Sequence, residues 1–223
     1  GNTGQNWSPE NFNTDMLPEW QDLLVETNST LVEAFGIGFE GEKPEGTEED
    51  GYWQLLWNSK EDAEAGWETW EGYDKTADWA EANADILACG SKADTFSFDA
   101  YVRRSRDGLG TFDLTAFSSE YQFCAYNEGQ GVDELVSVID DFEDWLVSDE
   151  NSLDSPYTYV VLAPDYETEE FDLAWGNFHQ SKEMREAGLA NFLDTAPEIQ
   201  EAFDKVLSCQ EPNGFNSGQI PLI

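Results

Sequence analysis

The sequence is short of basic residues. It has 10 lysines and arginines against 48 aspartates and glutamates, which gives a formal net charge of −38. A surface covered with carboxylates repels phosphate backbones and anionic lipids, so we expect neither nucleic acid nor a membrane surface as a partner. Such a surface stays hydrated in salt, which suggests a marine or halophilic source. The sequence also lacks an apolar run of the ~20 residues that a membrane-spanning helix requires.

Histidine and cysteine are scarce as well. The chain has one histidine and three cysteines, and no two cysteines lie at C-x-x-C spacing, so no metal site is expected. Signatures of a serine nucleophile, a phosphate-binding loop or a dinucleotide site are absent, so we predict no catalytic residue and no cofactor. The opening residues Gly1–Gly4 are typical of a mature chain whose leader has been removed. We therefore expect an exported protein, periplasmic or extracellular, with at least one disulfide.

Aromatic residues, in contrast, are abundant. The chain contains 14 Phe, 9 Trp and 8 Tyr, and 39% of its residues are hydrophobic. This is too much apolar surface for a disordered acidic chain, so the sequence predicts a folded body with an acidic surface. A length of 223 residues suits two units of roughly 100 residues each.

One segment of the sequence is repeated. The eight residues Ser59–Gly66 recur 122 positions later as Ser181–Gly188, and six of the eight are identical. The same offset places Trp53 on Trp175, and an offset of 120 places Cys89 on Cys209. The sequence therefore predicts one structural unit that is present twice.

The hydrophobic pattern gives the same order of elements in both halves. In the second half it predicts strands at 121–126, 157–163, 171–178 and 215–223, a helix after Gly131, and helices over 182–209 that restart at Pro197. In the first half it predicts a helix over 9–24, strands at 31–39, 52–57 and 96–103, and a long helix over 60–89. The predicted order of elements in the second half is β-α-β-β-α-β, and the first half has the same order without its first strand.

Two β-α-β-β-α-β units in tandem describe a pair of ferredoxin-like domains. The pattern Tyr52-Trp53-x-x-x-Trp57, followed by Ser59-Lys60-Glu61 and Ala65-Gly66-Trp67, resembles the dimeric α+β barrel superfamily. It is most similar to a group of exported marine bacterial proteins with tandem modules. The resemblance implies an α+β fold with ferredoxin-like units at 1–105 and 119–223, joined by a linker at 106–118. Their antiparallel sheets are expected to face each other in a pseudo-twofold barrel.

The resemblance leaves two functions open. The superfamily contains cofactor-free monooxygenases and haem-dependent enzymes, and fold alone does not choose among its functions. The first hypothesis is a non-enzymatic module of unknown function that binds a small apolar or anionic ligand, or serves as an interaction domain. The alternative is a barrel enzyme of the cofactor-free monooxygenase or haem-dependent type.

Four residues on equivalent strands are candidate ligand contacts. Trp53 and Trp57 share one strand face, and Trp175 and His179 share the matching face of the second unit. We expect this face to lie at the interface between the two sheets. His179 is the only histidine, and the haem-binding branch of the superfamily ligates iron through a histidine, although a strand-end histidine is also typical of a surface residue.

Arg103, Arg104 and Arg106 supply three of the ten basic residues within four positions. Such a cluster suits a carboxylate or phosphate ligand held by bidentate contacts. The alternative is that these arginines pair with the protein's own carboxylates.

In the ferredoxin-like order the first strand lies beside the fourth, and the second helix ends near that pair. This order places Cys124 near Cys209, close enough for a disulfide. Cys89 would then correspond to Cys209 in a unit whose first strand is missing. The edge of the 96–103 strand would be open to pairing with another chain, so the protein is expected to be a monomer with an internal pseudo-dimer or an edge-paired homo-oligomer.

Overall fold

The computed structural model describes residues 1–103, 112–153 and 156–222. The chain forms two units: unit 1 comprises Gly1–Phe96 and Asn216–Ile223, and unit 2 comprises Ser97–Phe215. Unit 1 therefore ends before the predicted boundary at residue 105 and includes the last residues of the chain. The first six residues of the predicted linker, 106–111, lie outside the described residues.

Unit 1 contains two helical regions. The first starts at Ser8, whose hydroxyl accepts a hydrogen bond of 3.0 Å from the backbone N–H of Asn11. It consists of α1 (Pro9–Asn11), a π-helical turn (Phe12–Met16) and α2 (Leu17–Glu26). The second consists of α3 (Lys60–Glu71) and α4 (Asp74–Asn83). The single helix predicted over 60–89 is wrong, because the chain leaves helical geometry at Gly72 and Tyr73 and becomes a strand after α4.

The strands of unit 1 are β1 (Asn2–Thr3), β2 (Glu33–Phe39), β3 (Gly51–Leu56) and β4 (Leu87–Ala88). β2 and β3 form an antiparallel hairpin, and β1 and β4 form a separate antiparallel pair. The core of unit 1 is made mostly by residues of the π-turn, α2 and α4: Met16, Leu17, Trp20, Leu23, Leu24, Ala34, Trp79, Leu87 and Ile220.

Unit 2 is built on an antiparallel sheet. Its strands are β5 (Phe98–Tyr101), β6 (Phe117–Tyr126), β7 (Tyr157–Pro164), β8 (Leu173–His179), β9 (Leu207–Cys209) and the start of β10 (Asn213–Ile220). β8 lies between β6 and β7, β5 pairs with the other side of β7, and β9 pairs with the end of β6.

The closing strand predicted for the first unit at 96–103 belongs to unit 2. β5 pairs along β7, with Phe98 opposite Pro164 and Tyr101 opposite Val161. The ring of Phe98 also packs against Phe171 at 6.4 Å, so its apolar partners lie in unit 2. The end of β10, in contrast, belongs to unit 1, because Ile220 is buried in the core of that unit.

Three helices cover one face of the unit 2 sheet: α5 (Val132–Leu146), α6 (Lys182–Thr195) and α7 (Pro197–Val206). The core between helices and sheet comprises Cys124, Leu135, Val138, Ile139, Phe142, Trp145, Leu146, Tyr159, Leu173, Trp175, Phe192, Ala196, Val206 and Leu207. The predicted α+β fold class is confirmed.

The predicted disulfide is present. Cys124 and Cys209 are bonded, with their Cα atoms 4.0 Å apart across β6 and β9. Cys89 is the free cysteine, and burial raises the pKa of its thiol to about 11 against the opposing effect of the N-terminal ammonium group. Within the described residues, no helix has both the length and the apolar character needed to cross a membrane.

Candidate functional site

Trp53 and Trp175 face the helices of their units, and not the open face of each sheet. The ring of Trp53 lies 5.1 Å from that of Trp20 on α2. The ring of Trp175 lies 5.5 Å from that of Phe203 on α7. The expectation that this strand face meets the opposite sheet is therefore wrong, because large aromatic side chains from the helices already cover it. Trp175 is buried in the core of unit 2, and Trp53 is partly buried against the core of unit 1.

Two buried polar atoms mark equivalent places in the two units. Among the described residues, Trp57 Nε1 and His179 Nδ1 are the buried side-chain nitrogen or oxygen atoms that lack a hydrogen-bond partner. The two residues are 122 positions apart, which is the offset of the repeat. A buried donor or acceptor without a partner costs about 1–3 kcal/mol, so both positions require an explanation.

Trp57 lies against a glycine of α3. A Cβ atom on Gly66 would lie 3.0 Å from Trp57 Nε1 and 3.4 Å from Thr30 Oγ1. The glycine therefore lets α3 pack closely against the indole, whose buried Nε1–H has no hydrogen-bond partner.

Gly66 also lines a pocket of about 200 Å³ in unit 1. The loop after α2 and one side of α3 line it, through Thr27, Asn28, Ser29, Thr30, Ala65, Gly66 and Thr69. Asn28 holds a left-handed backbone with φ of 49°, which turns the loop back at the end of α2. The lining is polar and uncharged.

The hydroxyl hydrogens of the three threonines in the lining are already bound to backbone carbonyls. Thr30 Oγ1 donates to the carbonyl of Asp62 at 2.9 Å, and Thr69 Oγ1 donates to the carbonyl of Ala65 at 2.9 Å. Thr27 donates in the same way to a carbonyl of α2 at 2.7 Å. These side chains can therefore accept hydrogen bonds from a ligand, whereas Trp57 Nε1–H can donate one.

The equivalent helix position in unit 2 is an asparagine. The repeat offset of 122 places Thr69 on Asn191. Asn191 Nδ2 donates to Asn151 Oδ1 at 3.0 Å, and Asn191 Oδ1 accepts from Ser152 Oγ at 2.8 Å. These bonds tie α6 to the loop after α5.

His179, at the end of β8, is buried under α6 with 7% of its surface exposed. A Cβ on Gly188 would lie 3.0 Å from His179 Cε1, and the ring of Tyr157 lies 4.8 Å away on β7. Burial, assisted by the positive charge of Arg185, lowers the pKa of His179 to about 4. The imidazole is therefore neutral at physiological pH.

The surroundings of His179 do not fit a haem group. Both ring nitrogens lie within 4.0 Å of the point where Gly188 would carry a Cβ, and α6 covers the ring. A planar macrocycle cannot reach either nitrogen unless α6 moves away from the sheet. The described residues also contain no cluster of three or more His, Cys, Asp or Glu side chains that could hold a metal ion.

A hydrogen-bonded network occupies the sheet beside His179. Asn177 Oδ1 accepts hydrogen bonds from Tyr157 at 2.8 Å and from Trp175 Nε1 at 2.9 Å. Its amide nitrogen donates to Glu120 Oε1 at 3.4 Å. The network satisfies the polar atoms of the two aromatic residues, and it fixes the orientation of the Asn177 amide.

Arg185 links α6 to the same network. Its Nη1 donates to Ser118 Oγ at 2.7 Å, and its Nε lies 3.4 Å from Glu120 Oε2. Both side chains of this ion pair are largely buried, with 11% and 19% of their surfaces exposed. Because its charge is compensated within the protein, Arg185 is not an open anion site.

The predicted arginine cluster is described only at its first member. Arg103 forms an ion pair with Asp140 of α5. Pairing with the protein's own carboxylates therefore applies to this arginine. Arg104 and Arg106 lie outside the described residues.

Sequence reasoning selected Trp57 but missed the walls of its pocket. The run Thr27–Thr30 follows a helix and reads as a polar loop, and nothing in the sequence says that it encloses space. One available signal was the difference between Thr69 and Asn191, which is one of several between the two equivalent helices.

No protein-family model matches the chain, and no curated protein matches it. Among solved structures, the chain is similar to the crystal structure of a "putative monooxygenase" from Lactobacillus acidophilus NCFM. The sequence identity is 9% and the TM-score is 0.49, and the match covers 96% of this chain and 90% of that chain. A similarity of this size carries no conclusion about activity.

Proposed function

We propose that the protein is a non-enzymatic binding module that holds a small neutral ligand in the pocket of unit 1. The observation that carries the proposal is the partnerless N–H of Trp57, which lies behind Gly66, a residue of the pocket wall. An acceptor oxygen placed there would form the missing hydrogen bond. Binding would then recover much of the free energy that the unpaired N–H costs.

The lining defines the chemistry of the ligand. It offers several hydroxyl oxygens that can accept and an exposed Asn28 that can both donate and accept, and the buried N–H of Trp57 lies behind Gly66. A small amide or polyol, which carries donors and acceptors together, matches this set. With a net charge of −38 the protein repels anions, so a neutral ligand is favoured over a carboxylate.

The same lining argues against catalysis in this pocket. None of its seven residues has a side chain that titrates near neutral pH, so the pocket holds no general acid or base. The titratable groups of greatest interest, His179 and Arg185, belong to unit 2 and are enclosed by its network. Binding without chemistry is the function that this pocket supports.

We propose further that the module is exported. The Cys124–Cys209 disulfide supports this, because such bonds persist in oxidising compartments and are rare in the cytosol. Measuring the redox state of this pair in its native cells would test the proposal: a reduced pair would argue against export.

The binding test uses the Trp57 indole N–H as its reporter. In a two-dimensional ¹⁵N–¹H spectrum, Trp57→Phe identifies the signal by its loss. Titration with acetamide and with glycerol should then shift the signal in a saturable way, because a new acceptor reaches the N–H. Acetate, which is anionic, should shift it less at equal concentration.

Two matched glycine variants control the test. Gly66→Ala places a methyl group 3.0 Å from Trp57 Nε1 and should abolish the shift while the chain stays folded. Gly188→Ala makes the same change at the equivalent position of unit 2 and should leave the shift intact. If no probe shifts the signal saturably, or if Gly66→Ala binds as well as the wild type, the proposed function is wrong.

A further inference from the structure

The indole N–H of Trp57 is separated from the pocket of unit 1 by residues of the pocket wall. Gly66 and Thr30 both line the pocket, and a Cβ on Gly66 would lie 3.0 Å from Trp57 Nε1 and 3.4 Å from Thr30 Oγ1. The Nε1 atom itself is buried and has no hydrogen-bond partner. A ligand in the pocket therefore reaches this N–H only when part of the wall moves.

The two wall residues differ in how firmly their backbones are held. Gly66 lies in the middle of α3, where regular helical hydrogen bonds fix the backbone. Thr30 lies in the loop of residues 27–31 between α2 and β2, and it is exposed. Loops move more readily than the helices that they connect. The movable side of the wall is therefore the side that carries Thr30.

The loop of residues 27–31 is attached to α2 by its backbone and to α3 by one side chain. The N–H groups of residues 27–29 donate to carbonyls in the last turn of α2 at 2.9–3.0 Å. Toward α3, the one hydrogen bond of this loop among the described residues runs from Thr30 Oγ1 to the carbonyl of Asp62, at 2.9 Å. Loss of this single bond would release the loop from α3 without detaching it from α2.

The loop that follows the corresponding helix of unit 2, α5, is held more firmly. Ser152 Oγ donates to Asn191 Oδ1 at 2.8 Å, and Asn191 Nδ2 donates to Asn151 Oδ1 at 3.0 Å. Two hydrogen bonds therefore tie this loop to α6. At the equivalent position of α3, the hydroxyl of Thr69 donates to a carbonyl of its own helix and does not reach the loop.

We propose that Thr30 is a latch that controls the access of a ligand to the N–H of Trp57, an inference that rests on the proposed function. In the closed state the Thr30 hydroxyl binds the carbonyl of Asp62, and the indole N–H is sealed. In the open state the loop moves away from α3, and the oxygen of a small amide or polyol reaches the N–H. Gly66 keeps this path free, because a Cβ at its position would contact both Nε1 and Thr30 Oγ1.

Opening of the latch leaves no polar group buried without a partner. Thr30 is exposed, so water replaces the carbonyl of Asp62 as the partner of its hydroxyl. That carbonyl lies in the first turn of α3 and retains the helical hydrogen bond from the N–H of Gly66. The net contribution of such a bond to stability is small, so we expect a minor open population at equilibrium.

Hydrogen exchange of the Trp57 indole with water measures the latch in the absence of ligand. The wild type should exchange more slowly than a free indole, because the N–H is accessible only in the open state. Thr30→Val keeps the shape of the side chain but cannot donate to Asp62. It should speed the exchange about fivefold, the factor that corresponds to one ordinary hydrogen bond. Thr30→Ser retains a hydroxyl and should restore slow exchange.

Thr95→Val is the control for the chemical change itself. Thr95 Oγ1 donates to the backbone carbonyl of Lys92 at 2.7 Å, and it is not a residue of the pocket wall. This variant should exchange at the wild-type rate. Wild-type exchange in Thr30→Val, equally fast exchange in Thr30→Ser and Thr30→Val, or a wild type that exchanges like a free indole would each overturn the proposal.

Acetamide separates the failure of the latch from the failure of the proposed function. If both hold, saturating acetamide slows the exchange in the wild type and in Thr30→Val, because the bound oxygen accepts the N–H. If Thr30→Val speeds the exchange but acetamide changes neither the exchange nor the position of the signal, the latch stands and the proposed binding is wrong. If acetamide shifts the signal saturably but Thr30→Val exchanges like the wild type, the binding stands and the latch is wrong.

Discussion

Gly188 packs directly on the imidazole of His179, so that a Cβ at this glycine would lie 3.0 Å from Cε1. Gly66 stands in the same relation to Trp57 in unit 1, again at 3.0 Å. The repeat therefore preserves a contact between a helix glycine and a strand-end heterocycle, although the heterocycle itself differs. In both units the glycine allows a helix to approach a flat ring closely.

The first prediction concerns His179 and pH. Its pKa is about 4 in the folded protein against 6.5 in the unfolded chain, because burial and Arg185 disfavour the charged form. Between these values the unfolded chain binds more protons, so the contribution of His179 to stability is complete above pH 6.5 and is lost as pH falls through 4. The shift corresponds to about 3 kcal/mol.

His179→Phe isolates this contribution from that of the many surface carboxylates. Phenylalanine keeps the ring packed between Gly188 and Tyr157 and removes the unpartnered Nδ1, so at neutral pH the variant should be as stable as the wild type or more so. Urea unfolding at a series of pH values should show that the wild type loses more stability on acidification. Parallel curves for the two proteins would contradict the prediction.

The second prediction concerns the disulfide. Cys124 and Cys209 are 85 residues apart, and closing a loop of this length stabilises a folded protein by about 4 kcal/mol in the chain-entropy model. The double variant Cys124→Ser/Cys209→Ser should lower the free energy of unfolding by an amount of this order. Cys89→Ser, which removes a cysteine that forms no disulfide, is the control and should lower the free energy of unfolding much less. Equal losses in the two variants would show that the crosslink contributes little.

The sequence predicted the α+β class and the disulfide because both follow from local pattern and repetition. The alignment of Cys89 with Cys209 does not depend on where each helix or strand ends. The position of β5 could not be predicted in the same way. Alternation of apolar residues at Phe98–Tyr101 indicates a strand, but it does not say which sheet the strand joins. That choice depends on long-range contacts such as that of Phe98 with Phe171.

The candidate site was predictable only in part, for a related reason. Trp57 stands out in the repeat because His179 replaces it. Its importance, however, lies in an N–H without a partner, and partners are set by packing. Trp53 and Trp175 look equivalent to it in sequence, and all three pack against helix aromatics, which for Trp57 is Trp67 of α3. Periodicity places residues on a face, whereas the packed helices decide whether that face is open.

The third prediction exchanges two residues at equivalent positions of the repeat. Thr69→Asn introduces into the wall of the unit 1 pocket the larger side chain of the equivalent residue Asn191, which binds Asn151 in unit 2. The acetamide-induced shift of the Trp57 indole signal should therefore be lost or strongly weakened. Asn191→Thr should open space in unit 2 without restoring an indole donor, because His179 occupies that position. Acetamide binding that persists in Thr69→Asn would place the ligand elsewhere.

The fourth prediction concerns Cys89 and the start of the chain. β1 pairs with β4 so that Asn2 stands opposite Ala88, and one step further along this register Gly1 stands opposite Cys89. Cys124 stands opposite Cys209 in the corresponding pair of unit 2. A Cβ on Gly1 would lie 3.8 Å from the Cα of Cys89, although it would also lie 2.8 Å from the carbonyl oxygen of Ala88, so the terminal residue must shift slightly.

Gly1→Cys should therefore form a second disulfide with Cys89, equivalent to the one in unit 2. Thiol titration of the oxidised, unfolded protein should find no free thiol in the variant, whereas the wild type retains that of Cys89. Peptide mapping should identify the 1–89 crosslink within a single chain. The pairing also tests the raised thiol pKa of Cys89, since a largely protonated thiol should oxidise slowly at neutral pH and faster as the pH rises. Two free thiols at every pH, or crosslinks only between chains, would show that the β1–β4 register does not bring these positions together.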